Sequence, residues 1–204
     1  MSIRELDLNT ARVAETANAP AVIAPLVDAA THGSDLVPAV TRIVRSLGFD
    51  TFMYGLSTVS RPGHDSSVYI FTTVPPEWVR RYDQEAYIEV DPRIEAAVAS
   101  TLPHVWDQWT ERGKSARRDQ YLDDAARHGV CSGVSFRLPD TNRASVIFCL
   151  NSSLPVVDEQ RRCMIIDSFG AMFTFGYYFH ELFMRKVVDA GMPSRLEGAP
   201  LTAR

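Results

Sequence analysis

The sequence predicts an α+β fold: an α-β-α sandwich in which helices cover both faces of a central, mostly antiparallel sheet of about five strands. Three observations favour this fold. Apolar residues recur at helical spacing before, between and after segments that alternate like strands. Turn-forming residues separate the strands. No glycine-rich phosphate loop follows any strand, so a nucleotide-binding fold has no support.

The first half of the chain is predicted to contain two helices, two strands and a third helix. Residues 19–31 and 35–47 carry apolar side chains at three- and four-residue spacing, which predicts helices. Residues from Phe49 onward alternate in size, and residues 67–71 consist of a serine followed by four apolar or aromatic residues, which is typical of a strand pair. The proline pair that begins at Pro75 then opens a helix.

The second half alternates helices with a strand hairpin. Periodicity, an Asp-Pro pair and a glycine stop predict helices over residues 93–100 and 115–128. Strands are predicted over 133–138 and 144–150, around a Pro-Asp-Thr-Asn turn. Residues 155–188 are predicted to be helical throughout, with enough aromatic side chains that part of the helix packs on another subunit.

Composition and charge narrow the function classes. The chain has 204 residues, enough for one sizeable core, and 46% of them are hydrophobic. Its net charge of −4 gives no overall basic character of the kind that binds nucleic acid. Charged side chains interrupt the apolar residues 163–188, and the N-terminus has no signal-peptide pattern. We therefore expect a cytoplasmic protein with no membrane partner.

Metal-binding and catalytic patterns do not occur in the sequence. None of the five histidines has a second ligand at metal-binding spacing, and Cys131, Cys149 and Cys163 fit neither a disulfide framework nor a zinc site. No G-x-S-x-G motif is present, and Cys131-Ser132 near His128 lacks an orienting third group. We expect no metal, no cofactor and no enzymatic activity.

The most specific signal lies between Trp78 and Gly133. It consists of Trp78-Val79-Arg80-Arg81-Tyr82, Asp91-Pro92, Pro103-His104-Val105-Trp106 and Gly129-Val130-Cys131-Ser132-Gly133. In order and spacing these segments resemble the autoinducer-binding domain of LuxR-type quorum-sensing regulators, and the resemblance covers roughly residues 30–190. It implies a ligand of the N-acyl homoserine lactone class.

The resemblance also implies a role for each motif residue. The Trp78 indole N–H would donate to the lactone carbonyl, the Asp91 carboxylate would accept from the amide N–H, and Tyr82 would line the pocket near the acyl carbonyl. Trp106 would form a wall beside the lactone ring. Gly133 would mark a place where the backbone comes close to the ligand or to a helix.

Further pocket residues are expected on the strands. The acyl tail would lie among apolar side chains on the inner face of the sheet, namely Phe52, Tyr54, Tyr69 and Phe71. Ser135 and Cys149 complete the expected ligand-binding set, and Pro92 has a structural role at the start of its helix.

The chain departs from the family pattern at three positions. Val74 stands where many members have tyrosine, and Cys149 stands where they have serine or threonine. Arg93 is larger and more charged than the residue expected beside the ligand amide. These departures keep two alternatives open: a regulator of the same fold that senses another signal, such as an aryl homoserine lactone or a host compound, and an enzyme that modifies lactones.

Simpler interpretations of the motif residues also stay open. Trp78 and Tyr82 lie four residues apart on one helix and could be core residues only. Asp91 could act as a helix cap before Pro92, alone or together with ligand binding.

The resemblance implies a domain organisation as well. Residues 1–190 would form the ligand-sensing domain, and residues 191–204 would be a linker into a helix-turn-helix DNA-binding domain that the chain does not contain. Pro200-Leu201-Thr202-Ala203-Arg204 looks like the first residues of that domain. We expect a homodimer through the long C-terminal helix and contact with DNA only through the missing domain.

Overall fold

The computed structural model describes residues 3–5, 19–57, 68–139 and 145–189. The helices are α1 (Ala24–Thr31), α2 (Leu36–Ser46), α3 (Pro76–Gln84), α4 (Pro92–Ala99), α5 (Gln108–Glu111), α6 (Ala116–Arg127), α7 (Glu159–Asp167) and α8 (Phe169–Asp189). The strands are β1 (Ile3–Glu5), β2 (Thr51–Ser57), β3 (Val68–Thr72), β4 (His104–Asp107), β5 (Ser132–Leu138) and β6 (Ser145–Ser152). Residues 58–67 and 140–144, which include the predicted loop and most of the predicted turn, and the predicted linker at 191–204 lie outside the described residues.

These strands form one sheet in the order β1-β3-β2-β6-β5-β4. All neighbouring pairs from β3 to β4 are antiparallel, and only the short β1 runs parallel to its neighbour β3. The predicted α-β-α sandwich with a mostly antiparallel sheet is therefore confirmed. The sequence pattern did not predict β1 or β4, because three or four residues are too few to show an alternation.

The first face of the sheet carries the larger core. Successive residues of a strand point to opposite faces, and in β2 the buried residues Phe52, Tyr54 and Leu56 point to this face. They pack with α1, α2 and α8, whose Phe179 ring lies edge-on to Phe52 at 4.9 Å. This core is closed by interlocking aromatic rings.

The second face is covered by α3, α4 and α6. Its core is smaller and joins Trp78 and Tyr82 of α3 with Trp106 of β4 and Tyr121 of α6. The prediction that Trp78 and Tyr82 share one side of a helix is confirmed, since both are buried and their rings lie 5.8 Å apart. This face holds the candidate site.

The C-terminal segment differs from its prediction. Instead of one helix over 155–188 there are two, α7 and α8, separated at Ser168. The Asp158 side chain accepts a hydrogen bond from the Arg161 backbone N–H and so caps α7, which starts later than predicted. The Ser168 hydroxyl donates to the carbonyl of Met164, in the last turn of α7.

Candidate ligand-binding site

A cavity of about 270 Å³ lies between the second face of the sheet and α3 and α4. Its volume is at the small end of the ~300–1,000 Å³ typical of small-molecule sites. The lining is mostly apolar and consists of Met53, Gly55, Ser57, Val68, Ile70, Tyr82, Ile88, Ile94, Val98, Ser145 and Ile147. Tyr82 is the one motif residue among them.

The strand register explains this lining. Gly55 of β2 stands between Ile70 of β3 and Ile147 of β6, so the three share one patch of the second face. Gly55 leaves space there: a Cβ atom added to it would meet no atom closer than 4.0 Å. The cavity thus lies against β3, β2 and β6, where Gly55 leaves space between the branched side chains of Ile70 and Ile147.

A buried polar network begins at the Tyr82 end of the cavity. Tyr82 donates its hydroxyl to Oδ2 of Asp91 at 2.9 Å. Asp91 is the residue before α4, and its Oδ1 accepts the backbone N–H of Arg93 at 2.9 Å, so it caps the helix that Pro92 opens. Asp91 therefore acts as a helix cap and as a member of this network at the same time.

Arg93 fills the centre of this network. Its guanidinium pairs with Asp91 through Nε to Oδ1 at 3.0 Å and Nη2 to Oδ2 at 2.6 Å, and its Nη1 donates to Oδ1 of Asn151 at 2.9 Å. The pair is enclosed, since the Arg93 side chain is 2% exposed and that of Asp91 0%. The guanidinium carbon also lies 5.7 Å from the centre of the Trp106 ring. We call Tyr82, Asp91, Arg93 and Asn151 the Asp91 network.

The Asp91 carboxylate raises the pKa values of both Arg93 and Tyr82. Burial alone would lower the pKa of Arg93, but the nearby Asp91 carboxylate outweighs it and raises that pKa well above its usual range. Burial, together with the same carboxylate, raises the pKa of the Tyr82 hydroxyl. Tyr82 and Arg93 therefore both act as donors at neutral pH.

Two buried groups beside the network, the Trp106 indole N–H and the Tyr121 hydroxyl, have no hydrogen-bond partner among the described residues. The indole Nε1 of Trp106 is buried without a hydrogen-bond acceptor in the part of the chain that the structure describes. A buried N–H without an acceptor is costly, so it is a candidate contact for a bound molecule. Trp106 is not among the residues that line the cavity, so its predicted place beside the lactone ring stays a prediction.

The structure brings several predicted residues to this face. Trp78 packs in the second core and stacks on the His128 ring at 5.1 Å. Ser135 and Cys149 face each other across β5 and β6, and both are fully buried beneath α4. The Ser135 hydroxyl is 3.4 Å from the Arg93 carbonyl. Burial raises the pKa of the Cys149 thiol to about 12.

Four predicted tail contacts lie elsewhere. The side chains of Phe52, Tyr54, Tyr69 and Phe71 belong to the aromatic core on the first face, opposite the cavity. These four residues therefore do not line the cavity, and their contact with an acyl tail stays a prediction that the cavity does not support: the period of two along each strand places the alternate residues, such as Gly55, in the cavity.

Gly133 is needed for a different reason from the predicted one. A Cβ atom at this position would lie 2.0 Å from the Leu150 carbonyl oxygen, so the close approach is to the neighbouring strand β6 and not to a helix. Gly133 of β5 pairs with Trp106 of β4, so this close approach between strands lies beside the site.

The sequence reasoning did not assign the central residues of the network. Arg93 was noted only as a departure, and Asn151 and the apolar cavity lining were not proposed at all. Asn151 directly follows the apolar run of β6 and precedes two serines, so the sequence alone does not distinguish it from a residue of an exposed turn.

These observations define a class: a small domain with an apolar cavity that reaches Tyr82 of a buried polar network, as in proteins that bind amphipathic small molecules. The sequence profile described as "Autoinducer binding domain" matches residues 34–175, more than half of the chain. The chain therefore belongs to the autoinducer-binding domain family of LuxR-type regulators.

Individual relatives agree with this assignment. The transcriptional activator SolR of Ralstonia nicotianae is 33% identical over 96 residues, which cover 47% of this chain and 39% of SolR. RaiR of Rhizobium etli is 28% identical over 140 residues, covering 65% of this chain and 56% of RaiR. The chain thus spans about two fifths to just over half of the length of these relatives.

A solved structure has a similar fold. It is CepR2 from Burkholderia cenocepacia, described as an N-acylhomoserine lactone dependent LuxR family transcription factor, with a TM-score of 0.61 and 23% identity. The match covers 74% of this chain and 84% of CepR2. At this identity the similarity shows the shared fold. No helix in the described ranges is both long and apolar enough to cross a membrane.

Proposed function

We propose that this chain is the ligand-sensing domain of a quorum-sensing transcription regulator and that it binds an N-acyl homoserine lactone without changing it chemically. The observation that carries the proposal is the apolar cavity that ends at Tyr82 and the Asp91 network, within a domain of the autoinducer-binding family. An acyl homoserine lactone has the matching shape, a polar head on an apolar tail.

The cavity suits the tail. Met53, Ile70, Ile94 and Ile147 present aliphatic surface from both walls, so a chain placed there removes apolar area from water at about 25 cal/mol per Å². The head would then lie at the Tyr82 end. There Trp78 and Trp106 are the proposed aromatic neighbours of the ring, as the motif predicted.

Ligand binding is proposed to act through stability and assembly. A ligand that binds the folded state but not the unfolded one stabilises it, and the gain grows with ligand concentration. The apolar side chains exposed on α7 and α8 include Met164, Ile166 and Tyr177, with exposed fractions of 60%, 49% and 46%. Apolar exposure of this kind favours dimerisation along these helices.

We further propose that the protein acts in the cytoplasm. There the dimer would position a DNA-binding domain that follows the linker at residues 191–204. No cofactor is required for this function. Among the described residues, no group of three or more histidine, cysteine or carboxylate side chains could hold a metal ion.

The test is thermal unfolding in the presence of N-acyl homoserine lactones with tails from four to twelve carbons, followed by light scattering to measure the mass of the particle. We expect one range of tail lengths to raise the unfolding midpoint, by an amount that increases with ligand concentration, and to increase the dimer fraction. Mass spectrometry of the recovered ligand should show it intact. An unfolding midpoint that no lactone moves would contradict the proposal, and a hydrolysed ligand would indicate an enzyme.

A second candidate is a regulator of the same fold that senses a different small molecule. Arg93 favours it, because an arginine already occupies the place where the motif predicts the ligand amide. Cys149 adds to this, since its fully buried thiol is a weaker donor than the serine or threonine that the family pattern has there. A panel of aryl lactones and non-lactone ligands in the same unfolding assay would reveal this function.

A further inference from the structure

The floor of the cavity changes from apolar to polar along the strands. In its middle, Gly55 of β2 lies between two isoleucines of β3 and β6. Two residues farther along β2, Ser57 pairs with Ser145 of β6, and both line the same cavity. We call Ser57 and Ser145 the serine pair. In the cavity lining that the structure describes, the serine pair and Tyr82 are the only side chains with an oxygen or nitrogen atom.

The serine pair lies at the end of the cavity floor away from the Asp91 network. The end near the network is marked by Met53, which pairs with Cys149 of β6. Cys149 pairs in turn with Ser135, whose hydroxyl is 3.4 Å from the Arg93 carbonyl. Along β2, Ser57 is four residues beyond Met53, a distance of about 13 Å at the ~3.3 Å rise of a strand. An extended alkyl chain with carbon–carbon bonds of about 1.5 Å advances roughly 1.25 Å per bond, so a tail of about ten carbons spans this distance.

The hydroxyls of the serine pair are available to a ligand. Both side chains are half-buried, and neither hydroxyl has a hydrogen-bond partner among the described residues. A methyl group that packs on them would remove two hydroxyls from water without replacing their hydrogen bonds, which is costly. A hydroxyl group in the same place can donate to one serine and accept from the other.

We propose that the serine pair recognises a hydroxyl group at the far end of the acyl tail, so that the domain selects N-acyl homoserine lactones whose tails of about ten carbons end in a hydroxyl. The inference rests on the proposed function, because it concerns the tail of the same ligand in the same cavity. The choice of the tail end belongs to Ser57 and Ser145, and the head lies at the Tyr82 end.

The opening of the cavity suits such a tail. Ile94 and Val98 lie about one turn apart on α4 and both line the cavity. Val98, which is farther along the helix from the Asp91 network, is 68% exposed. Solvent therefore reaches the cavity wall away from the network. A methyl end gains little from burial beside such an opening, whereas a hydroxyl end stays hydrated.

The test is calorimetric titration of the wild-type protein with pairs of N-acyl homoserine lactones, whose tails of six, eight, ten or twelve carbons end in either a methyl or a hydroxyl group. In an apolar pocket the hydroxyl would weaken binding by about 5- to 150-fold, the factor for one unpaired buried polar group. We expect this loss in the six-carbon pair, whose ends should lie among the isoleucines. In the ten-carbon pair the hydroxyl-ended ligand should bind at least as tightly as the methyl-ended one. Tighter binding of the methyl-ended ligand at every length would overturn the inference.

The decisive comparison is the double variant Ser57→Ala/Ser145→Ala, which removes both hydroxyls without adding bulk. Relative to the methyl-ended ten-carbon ligand, it should bind the hydroxyl-ended one at least about 5-fold more weakly than the wild type does. The matched control is Ser46→Ala on α2, where the serine hydroxyl donates to the Ile43 carbonyl, and this change should leave the ratio unaltered. The same ratio in the double variant and the wild type would show that the serines do not contact the tail and would overturn the inference. If the double variant does not fold, each single change should lower the ratio in the same direction.

Failure of the inference can be told from failure of the proposed function. If the wild type binds methyl-ended lactones more tightly than hydroxyl-ended ones at every length, the proposed function stays and the selectivity of the serine pair falls. If the wild type binds neither member of any pair, both fall.

Discussion

Removing either charge of the Asp91–Arg93 pair should destabilise the domain far more than removing both. Asp91→Asn keeps the helix cap, because asparagine caps as well as aspartate, but leaves the enclosed guanidinium without a counter-charge. Arg93→Met leaves the carboxylate with only neutral donors. Each single change should cost about 3–5 kcal/mol, the typical cost of breaking a buried ion pair.

The double variant Asp91→Asn/Arg93→Met should be much more stable than the sum of the single changes. Additive effects would total about 6–10 kcal/mol, enough to unfold most domains, whose stability is about 5–15 kcal/mol. Because neither charge remains in the double variant, we expect it to lie within about 2 kcal/mol of the wild type. The coupling energy of the cycle should therefore be several kcal/mol.

Urea unfolding followed by tryptophan fluorescence measures all four proteins. The control is the exposed pair Arg185–Glu181 on α8, 2.8 Å apart with exposed fractions of 45% and 63%, where Glu181→Gln should change stability by less than about 1 kcal/mol. The reasoning would be refuted if the single changes at Asp91 and Arg93 cost no more stability than this control. It would also be refuted if the stability losses of the two single changes simply summed in the double variant.

Three further predictions concern stability and reactivity. Gly133→Ala should give little soluble protein, because its Cβ would lie 2.0 Å from the Leu150 carbonyl oxygen; normal yield and circular dichroism would contradict this. Cys163, which is exposed, should react with a thiol reagent at pH 8, whereas Cys149, whose pKa burial raises to about 12, should react only after unfolding; peptide mapping distinguishes them. The hydrogen bond from Tyr87 lowers the pKa of Asp124 below 3.8. The ionised Asp124 carboxylate therefore stabilises the folded protein fully above pH 3.8, and this stabilisation is lost as the pH falls through the pKa that Asp124 has in the folded state. Acid unfolding of Asp124→Asn should accordingly depend less steeply on pH than that of the wild type.

Much of the fold followed from local patterns. Helical periodicity and caps predicted α1 to α4 and α6 to within a few residues, and alternation predicted β2, β3, β5 and β6. The spaced motif predicted that Trp78, Tyr82 and Trp106 would share one cluster, and they do. Such patterns depend on neighbours in the sequence, which is why they could be seen without the structure.

The location of the cavity could not be predicted in the same way. Alternation shows that Phe52 and Tyr54 share a face and that Met53 and Gly55 share the other, but not which face is filled completely by its helices. The aromatic residues of α8 fill the first face, and that depends on packing between segments more than 100 residues apart. The pairing of Arg93 with Asn151 is also a contact between distant segments.

The binding of an acyl ligand by Gly55→Leu tests the central claim most directly. Gly55 is in the floor of the cavity, and a Cβ atom added to it would meet no atom closer than 4.0 Å, so we expect leucine to extend into the cavity and the protein to fold. The matched control is Gly170→Leu, at an exposed position of α8 with no atom near its Cβ. Calorimetric titration with the N-acyl homoserine lactone that binds the wild type most tightly should show no binding to a folded Gly55→Leu protein and wild-type affinity in Gly170→Leu. Undiminished affinity in Gly55→Leu would contradict the assignment of the ligand to this cavity.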